Sequence, residues 1–211
     1  MDRKRNRLIF LLLSFLTITS CNHNEISSSK SENENKESKI LLAYFSRAGE
    51  NYGVGYVEKG NTEIIANYIN ELVKCDEVFK IEREEDYPLD YNSCTKVAKA
   101  EKDENARPKL KNYMSEDYFS TFDIVFLGYP IWYNSMPMPV YTFIESYSFE
   151  GKVVYPFSTN EGSGFGDTIG VLKSKLTKAI LMDGYSTKGQ YVNSKKDEVS
   201  EWLTNLKIGE K

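Results

Sequence analysis

Hydroxyl groups and glycines stand where an apolar run passes into a helical pattern, and this arrangement can bind an anion. Ser46 directly follows the apolar run 40–45, and Gly60, Asn61 and Thr62 open a segment with apolar residues at helical spacing. The first N–H groups of a helix have no partner within the helix, and the positive end of its dipole lies beside them. With the hydroxyls of Ser46 and Thr62 as further donors, the sequence predicts an anion site at this strand-to-helix connection.

Two common phosphate-binding motifs do not occur at this connection. It has neither the Gly-Lys-Ser/Thr of a Walker loop nor the G-x-G-x-x-G of a dinucleotide fingerprint. Gly49-Glu50-Asn51 offers a second register for the anion-binding loop, but Glu50 would place a negative charge beside the anion. We therefore favour the register at Gly60, and a solvated turn before a helix is the alternative without a binding function.

An aromatic loop is the second candidate, and its residues are Pro130, Ile131, Trp132, Tyr133 and Asn134. The loop follows a buried strand, so Trp132 and Tyr133 stand beside prolines, where core packing gives them little reason to be. An exposed aromatic pair on a rigid loop can stack on a planar heterocycle. The alternative is structural, with Trp132 covering the sheet edge against Met136 or Met138.

A third loop, from Ser158 to Gly164, combines hydroxyl groups with glycines. Its hydroxyl donors are Ser158, Thr159 and Ser163, and Asn160 lies among them. At Gly162 and Gly164 the backbone N–H groups are unobstructed by side chains. Such a loop can bind the polar edge of a planar ring.

Strands and helices alternate along the chain, which predicts a doubly wound α/β fold with a parallel sheet. The predicted strands are 40–45, 77–81, 123–128, 152–157 and 179–182. The predicted helices begin at Gly60 and Pro137 or span 91–105, 164–176 and 195–206. Ligands in such sheets bind at the carboxyl ends of the strands. Because all three candidate loops follow strands, we expect them to lie together at that end.

The N-terminus has the three parts of a secretory signal. Basic residues precede the apolar run 8–18, and small residues precede Cys21. The sequence Ile18-Thr19-Ser20-Cys21 resembles the lipobox of bacterial lipoproteins, which predicts a lipoprotein signal peptide over residues 1–20 and lipidation of Cys21. An ordinary cleaved signal is the alternative. Residues 21–38 are rich in Ser, Asn, Glu and Lys and predict a disordered tether.

Charge and histidine content exclude several functions. The 211-residue chain has a net charge of −4, and removal of residues 1–20, which carry +3, leaves −7. An acidic domain is a poor partner for nucleic acid. The single histidine, His23, lies in the predicted tether, so we expect neither a histidine triad nor a metal site in residues 39–211. Cys75 and Cys94 either form a disulfide or stay as two half-buried thiols.

Taken together, the motifs resemble those of flavodoxins. The segments YFSRxG…GNT, GYPIWYNSMPMPV and GKVVYPFSTNEGSGFG carry the resemblance, which covers essentially all of residues 39–190. It implies a flavodoxin-like domain over 39–211, with a five-stranded parallel sheet of order 2-1-3-4-5 and FMN between the first and third strands. Relative to the flavodoxin pattern, Arg47 to Lys59 is an insertion in the first loop.

The resemblance also implies which residues bind FMN. The phosphate would be held by Ser46, Gly60, Asn61 and Thr62, with Arg47 also among the cofactor-binding residues. The ring would lie between the second and third loops, in contact with Pro130, Ile131, Trp132, Tyr133, Asn134, Ser158, Thr159, Asn160, Gly162, Ser163 and Gly164.

We therefore expect a protein that transfers electrons through bound FMN and needs no catalytic side chain. Lipid attachment would place it in the bacterial cell envelope, membrane-anchored and facing outside the cytoplasm. Its partner would be a redox protein or a small-molecule electron acceptor. One alternative is an NAD(P)H-dependent quinone or azo-compound reductase on the same fold, although no separate nicotinamide motif is found. The other is a flavin-free binding lipoprotein on a decayed fold.

Overall fold

The computed structural model describes residues 37–206 and residue 208. The predicted signal peptide 1–20, Cys21 and all but the last two residues of the tether 21–38 lie outside the described residues. Among the helices of the described residues, none is both long enough and apolar enough to span a bilayer.

Strands and helices alternate as predicted. The strands are β1 (Ile40–Tyr44), β2 (Gly49–Asn51), β3 (Gly55–Val57), β4 (Glu77–Lys80), β5 (Ile124–Pro130), β6 (Val153–Asn160), β7 (Ile180–Leu181) and β8 (Tyr185–Lys188). The helices are α1 (Asn61–Val73), α2 (Tyr91–Asp103), α3 (Glu116–Ser120), α4 (Met138–Ser146), α5 (Thr168–Lys175) and α6 (Lys196–Asn205), with a 3₁₀ helix over Gly189–Ser194.

The main sheet is parallel and has the order β4-β1-β5-β6-β7, with β8 also paired to β6. This order confirms the predicted arrangement 2-1-3-4-5. Two short strands share the fifth position, because β7 pairs with the first residues of β6 and β8 with its last four. The C-terminal part of the chain therefore reaches the carboxyl end of the sheet, where the candidate loops lie.

Hydrophobic cores cover the sheet on both faces. Side chains of β1 alternate between them, so that Leu41 belongs to the core that contains residues of α2, α3, α4 and α5, and Leu42 to the core that contains residues of α1 and α6. Val125 and Phe126 of β5 divide in the same way. The continuous apolar runs of β1 and β5 are explained by this burial on both sides.

The inserted residues 47–59 contain the antiparallel hairpin β2–β3, which is separate from the main sheet. The predicted start of one helix was wrong by four residues, and the last predicted strand was one residue too long at each end. Helix α5 begins at Thr168 rather than Gly164, because Gly164 and Gly166 have φ values of 60° and 50°, in the left-handed region. The last predicted strand, 179–182, is shortened to β7, and β8 pairs with the rest of β6 on the same side.

Candidate functional site

A cavity of about 410 Å³ opens at the carboxyl ends of β1, β5 and β6. It brings together the predicted residues Arg47, Asn61, Pro130, Ile131, Trp132, Tyr133, Asn134, Thr159, Asn160 and Ser163. The predicted residues that do not line it are Ser46, Gly60, Thr62, Ser158, Gly162 and Gly164. The lining residues outside the predicted cofactor-binding set are Asn51, Tyr52, Tyr91, Cys94, Thr95, Ala98 and Glu161. Asn51 belongs to the second register considered for the anion-binding loop.

Gly60 joins the first loop to helix α1 in a space that admits no side chain. It is the N-cap residue, and a Cβ atom there would lie 2.3 Å from Ser46 Oγ and 2.5 Å from the carbonyl oxygen of Arg47. Ser46 Oγ accepts a hydrogen bond from the backbone N–H of Glu63 at 3.0 Å. The helix N-terminus therefore lies at the register predicted at Gly60, whereas Gly49–Asn51 forms strand β2.

Thr62 is buried against the third loop. Its side chain is 1% exposed, and its hydroxyl oxygen lies 2.7 Å from the hydroxyl oxygen of Thr159. A hydroxyl has one proton and two lone pairs. One of the two hydroxyls donates to the other, so the proton of the accepting hydroxyl is left for a third group. The pair also ties the N-terminus of α1 to the end of β6.

Arg47 fixes the inserted hairpin to the segment before α2. Its guanidinium donates hydrogen bonds to the carbonyl oxygens of Glu50, Pro88 and Leu89 at distances between 2.5 and 3.1 Å. These bonds direct the guanidinium toward the backbone of the protein itself. A contact between Arg47 and a cofactor stays a prediction.

The hairpin β2–β3 forms one side of the cavity mouth. At its base, the N–H of Glu50 donates to the Leu89 carbonyl at 2.8 Å, and Glu50 Oε2 accepts from the N–H of Tyr91 at 3.0 Å. At its tip, a Cβ atom on Gly53 would lie 2.8 Å from Glu161 Oε2. The hairpin therefore reaches from the start of α2 to the third loop.

The second loop makes a tight turn that carries backbone strain. Trp132 and Ser135 exchange both backbone hydrogen bonds, at 2.8 and 2.9 Å. Tyr133 and Asn134 between them have φ values of 49° and 64°. Asn adopts positive φ readily, but a bulky residue does so at a cost. The turn therefore holds Tyr133 in a conformation that it would rarely adopt in an unconstrained loop.

Trp132 is half-buried, so the expectation of an exposed aromatic pair was wrong for this residue. Its ring packs edge-to-face on Phe45 and Tyr87, with centroid distances of 5.4 and 5.1 Å. Burying this large apolar surface stabilises the loop, and part of the indole still lines the cavity. Tyr133 is 43% exposed, and its hydroxyl donates to the Thr95 carbonyl at 2.9 Å.

Asn160 organises the third loop from within. Its side-chain oxygen accepts hydrogen bonds from the N–H groups of Gly162 and Gly164 at 2.7 and 3.1 Å. The prediction that these two N–H groups face a ligand was therefore wrong, because the Asn160 amide uses them to shape the loop. Ser158 is likewise directed inward, with its hydroxyl 3.1 Å from the Gly164 carbonyl and 2.8 Å from Ser186 Oγ.

Glu161 places a carboxyl group beside the start of α1. A Cβ atom on Gly189 would lie 2.2 Å from Asn61 Nδ2 and 2.7 Å from Glu161 Oε1, so these two side chains meet over a position where only glycine fits. Burial raises the pKa of Glu161, while a hydrogen bond from the Gly189 backbone and the charge of Lys188 oppose the rise. The cavity therefore carries an acidic side chain close to the predicted anion site.

Helix α2 supplies a wall of the cavity through Tyr91, Cys94, Thr95 and Ala98. Their spacing of three and four residues places them along one face of a helix. This spacing is a signal that could have identified them, but the charged residues of the same segment suggest a solvated helix. Cys94 is a free thiol, as is the half-buried Cys75, so the two do not form a disulfide. Burial raises the pKa of both thiols, that of Cys75 to about 12.

In the described part of the chain, no group of three or more His, Cys, Asp or Glu side chains could hold a metal ion.

No curated protein gives a significant match to the sequence. The comparisons with solved structures and with a family model instead agree with the fold.

Three solved structures illustrate this similarity. A candidate flavoprotein from Bacteroides uniformis ATCC 8492 is 26% identical, with a TM-score of 0.63, over 80% of this chain and 99% of its own. Another from Bacteroides eggerthii DSM 20697 is 30% identical, with a TM-score of 0.57, over 78% of this chain and 99% of its own. A flavoprotein from Lactobacillus acidophilus NCFM, solved in complex with FMN, is 17% identical, with a TM-score of 0.51, over 77% of this chain and 99% of its own.

The family model described as Flavodoxin matches residues 39–206, which include every strand and helix of the structure. The match therefore covers the sheet, both hydrophobic cores and all three candidate loops. On this evidence, the chain belongs to the flavodoxin family.

Proposed function

We propose that this protein binds FMN in the cavity and transfers electrons through it. The observation that carries the proposal is the convergence of three loops on one cavity at the carboxyl ends of β1, β5 and β6. The crevice where the strand order reverses is the usual ligand site of such sheets. The Lactobacillus acidophilus flavoprotein, which has the same fold and was solved with FMN, makes this cofactor a reasonable choice.

The residues present fit the two ends of FMN. At the start of α1, Gly60 lets Ser46 and the Arg47 backbone approach the helix closely, and the positive end of the helix dipole there suits a phosphate. In the cavity, Trp132 and Tyr133 offer aromatic surface to the ring, and Asn61 and Ser163 offer polar groups to its edges or to the connecting chain. Charge is the one feature that opposes binding, because Glu161 is the acidic side chain of the cavity lining.

Bound FMN would supply the redox chemistry, because a flavin can take up and release one or two electrons. The protein has to hold the ring in place and limit its contact with water. The rigid turn at Tyr133 and the hydrogen-bonded loop around Asn160 are suited to the first task. The hairpin and helix α2, which stand at the mouth, are suited to the second.

We further propose that the protein is anchored in the bacterial cell envelope by lipidation of Cys21. The support is the three-part signal over residues 1–20 and the lipobox-like sequence that ends at Cys21. One acyl chain binds a membrane only marginally, so stable attachment would need more than one chain. An exported chain would have to acquire FMN outside the cytoplasm if it crosses the membrane unfolded.

Absorbance and fluorescence titrations of the purified protein with FMN test the proposed cofactor. We expect saturable binding of one FMN per chain and much weaker binding of riboflavin, which lacks the phosphate. Absence of FMN binding to the folded protein would overturn the proposal. With FMN bound, NAD(P)H oxidation in the presence of a quinone separates a reductase from a carrier that depends on another protein for its electrons.

A further inference from the structure

A buried polar network joins helix α2 to the segment before it, and its members are Arg83, Tyr87 and Glu101. Tyr87 and Glu101 are each 8% exposed. One carboxylate oxygen of Glu101 accepts a hydrogen bond from Arg83 Nε at 2.8 Å, and the other accepts from the Tyr87 hydroxyl. A buried carboxylate is costly without partners, and hydrogen bonds to an ionised group are strong. The network therefore satisfies its buried charge and holds three side chains in one arrangement.

The network fixes an aromatic ring that its own backbone would leave loosely placed. Tyr87 belongs to residues 81–90, which join β4 to α2 outside the strands and helices named above. Glu101 binds its hydroxyl, and the guanidinium carbon of Arg83 lies 5.5 Å from the centroid of its ring. Burial raises the pKa of Tyr87, and the bond to Glu101 raises it further, so the phenol keeps its proton and stays the donor.

Tyr87 in turn holds Trp132. The two rings meet edge to face, with centroids 5.1 Å apart and an interplanar angle of 85°. Phe45 packs on both rings, at 5.9 Å from Tyr87 and 5.4 Å from Trp132. The hydrogen bonds between Trp132 and Ser135 fix the backbone but leave the side-chain torsions of Trp132 to be set by packing. The direction of the indole therefore depends on two rings, of which Tyr87 is fastened by a polar group.

Glu101 also ties the network to a wall of the cavity. Helix α2 lines the cavity with residues between Tyr91 and Ala98, and Glu101 follows Ala98 by three residues. Cys94, Ala98 and Glu101 are the buried residues of the helix, so they share its inner face. One carboxylate thus connects two walls of the cavity, helix α2 and the indole of Trp132.

We propose that Tyr87 and Glu101 are positioning residues for the binding site, and that they set the direction in which Trp132 presents its indole to the cavity. Neither of them is among the residues that line the cavity, so both act through Trp132. The effect on the ligand rests on the proposed function, because FMN supplies the planar ring that would meet the indole. The positioning itself is a property of the protein without ligand.

Nuclear magnetic resonance of the isotope-labelled protein without FMN tests the positioning. The chain has two tryptophans, Trp132 and Trp202, and therefore two indole N–H signals, which Trp132→Phe assigns. Tyr87→Phe keeps a ring of similar ring current and loses the hydroxyl. We expect it to shift the Trp132 signal and to leave the Trp202 signal in place, because the ring next to Trp132 is no longer fastened. An unchanged Trp132 signal would overturn the proposal.

Tyr147→Phe is the matched control. Tyr147 is 9% exposed, and its hydroxyl accepts a hydrogen bond from the Met114 N–H at 2.8 Å, so this variant also loses a buried phenol hydrogen bond. Tyr147 does not line the cavity and belongs to the same hydrophobic core as Tyr87. We expect the Trp132 signal of Tyr147→Phe to match that of the wild type. A shift as large as that in Tyr87→Phe would mean that loss of core stability moves the indole, and the proposal would fail.

Two variants of Glu101 test whether the hydrogen bond is the cause. A glutamine can accept from Arg83 with its oxygen and donate to the Tyr87 hydroxyl with its NH₂ group, so both contacts persist with one of them reversed. We therefore expect Glu101→Gln to keep the Trp132 signal close to that of the wild type and Glu101→Ala to shift it as Tyr87→Phe does. Equal shifts in Glu101→Gln and Glu101→Ala would contradict positioning by this hydrogen bond.

Titration with FMN then measures the effect on the site. We expect Tyr87→Phe to bind FMN roughly two- to tenfold more weakly, the amount that one aromatic contact contributes, and Tyr147→Phe to bind it as the wild type does. A shifted Trp132 signal with wild-type FMN affinity in Tyr87→Phe would remove the network from the site. If the wild type binds no FMN, the proposed function fails, while the indole signals still decide whether the network positions Trp132.

Discussion

The hydroxyl oxygens of Thr62 and Thr159 lie 2.7 Å apart in the protein interior. Thr62 belongs to the first turn of α1 and Thr159 to the end of β6, so one hydrogen bond joins two of the three loops around the cavity. Between β1, which leads into the first loop, and β6 lies β5, which carries the second loop. The positions of the loops are thus linked through the core as well as through the strands.

Replacing Thr62 with valine keeps the side-chain shape and removes the hydroxyl. We expect the free energy of unfolding to fall by about 1–3 kcal/mol, because the buried Thr159 hydroxyl loses its partner. Urea unfolding measures the loss. The double variant Thr62→Val/Thr159→Val should recover part of it, since both polar groups are then gone. A double variant that loses the sum of the two single effects would show that the hydroxyls do not interact.

Gly60→Ala tests the space at the start of α1. The new Cβ atom would lie 2.3 Å from Ser46 Oγ, so we expect this loop to shift and FMN affinity to fall by on the order of tenfold or more. The matched control is Gly170→Ala in α5, where a Cβ atom would meet nothing within 4 Å. That control should keep its FMN affinity and gain up to about 1 kcal/mol of stability, because alanine favours a helix. Equal FMN affinity in Gly60→Ala and the wild type would remove the first loop from the site.

Trp132 has both a packing role and a proposed binding role, and two variants separate them. Trp132→Ala removes the contacts with Phe45 and Tyr87, so we expect a loss of about 3–5 kcal/mol in unfolding free energy. Trp132→Phe keeps a ring in the same place and should fold with a smaller loss. If the indole stacks on FMN, Trp132→Phe should bind FMN roughly two- to tenfold more weakly. Unchanged FMN affinity in Trp132→Phe would leave Trp132 with packing alone.

The ion pairs of Glu145 predict a contribution to the free energy of unfolding that is lost in acid. Arg107 bonds its carboxylate at 2.5 and 3.0 Å and Lys175 at 2.5 Å, and together they lower the pKa of Glu145 to about 2 from an ordinary value of 4.5. A lowered pKa stabilises the fold above pH 4.5, and this contribution is lost as the pH falls toward about 2. We expect Glu145→Gln to be less stable than the wild type at pH 7, with the difference narrowing between pH 4.5 and 2. Urea unfolding across this range checks it, and a constant difference would contradict the assignment.

Cys21→Ser tests the proposed anchor. The variant should incorporate no labelled fatty acid and should stay uncleaved at this position, because the thiol is the site of lipid attachment in the proposed signal. The wild-type chain, labelled in the same cells, is the control. Continued incorporation of the label by the variant would rule out Cys21 as the modified residue.

The sheet and the position of the site could be predicted, because their signals are local or repeated. The apolar runs that became β1 and β5 show burial on both faces directly in the sequence. Gly60 before the helical spacing of α1 locates the helix start. Each candidate loop follows a strand, and all parallel strands end at the same edge of a sheet.

The missed features depend on contacts that residue types alone do not reveal, and some of these contacts join distant parts of the chain. Asn160 binds the N–H groups of Gly162 and Gly164, and nothing in the residue types tells whether these groups face a ligand or a neighbouring side chain. The packing of Trp132 on Tyr87 joins segments more than forty residues apart. Strands β2 and β3 have three residues each and little burial, so they leave almost no periodicity to detect.

The contacts between the insertion that contains the hairpin and the segment that starts α2 limit how this domain can be shortened. Arg47 and Glu50 bind the backbone of residues 88–91, so the two additions to the simple strand–helix alternation stabilise each other. A deletion of the whole insertion 47–59 alone would take away the donors for the Pro88 and Leu89 carbonyls and open one side of the pocket. A trimmed version would therefore have to discard both segments together or retain both, and the pair can be transplanted only as one module.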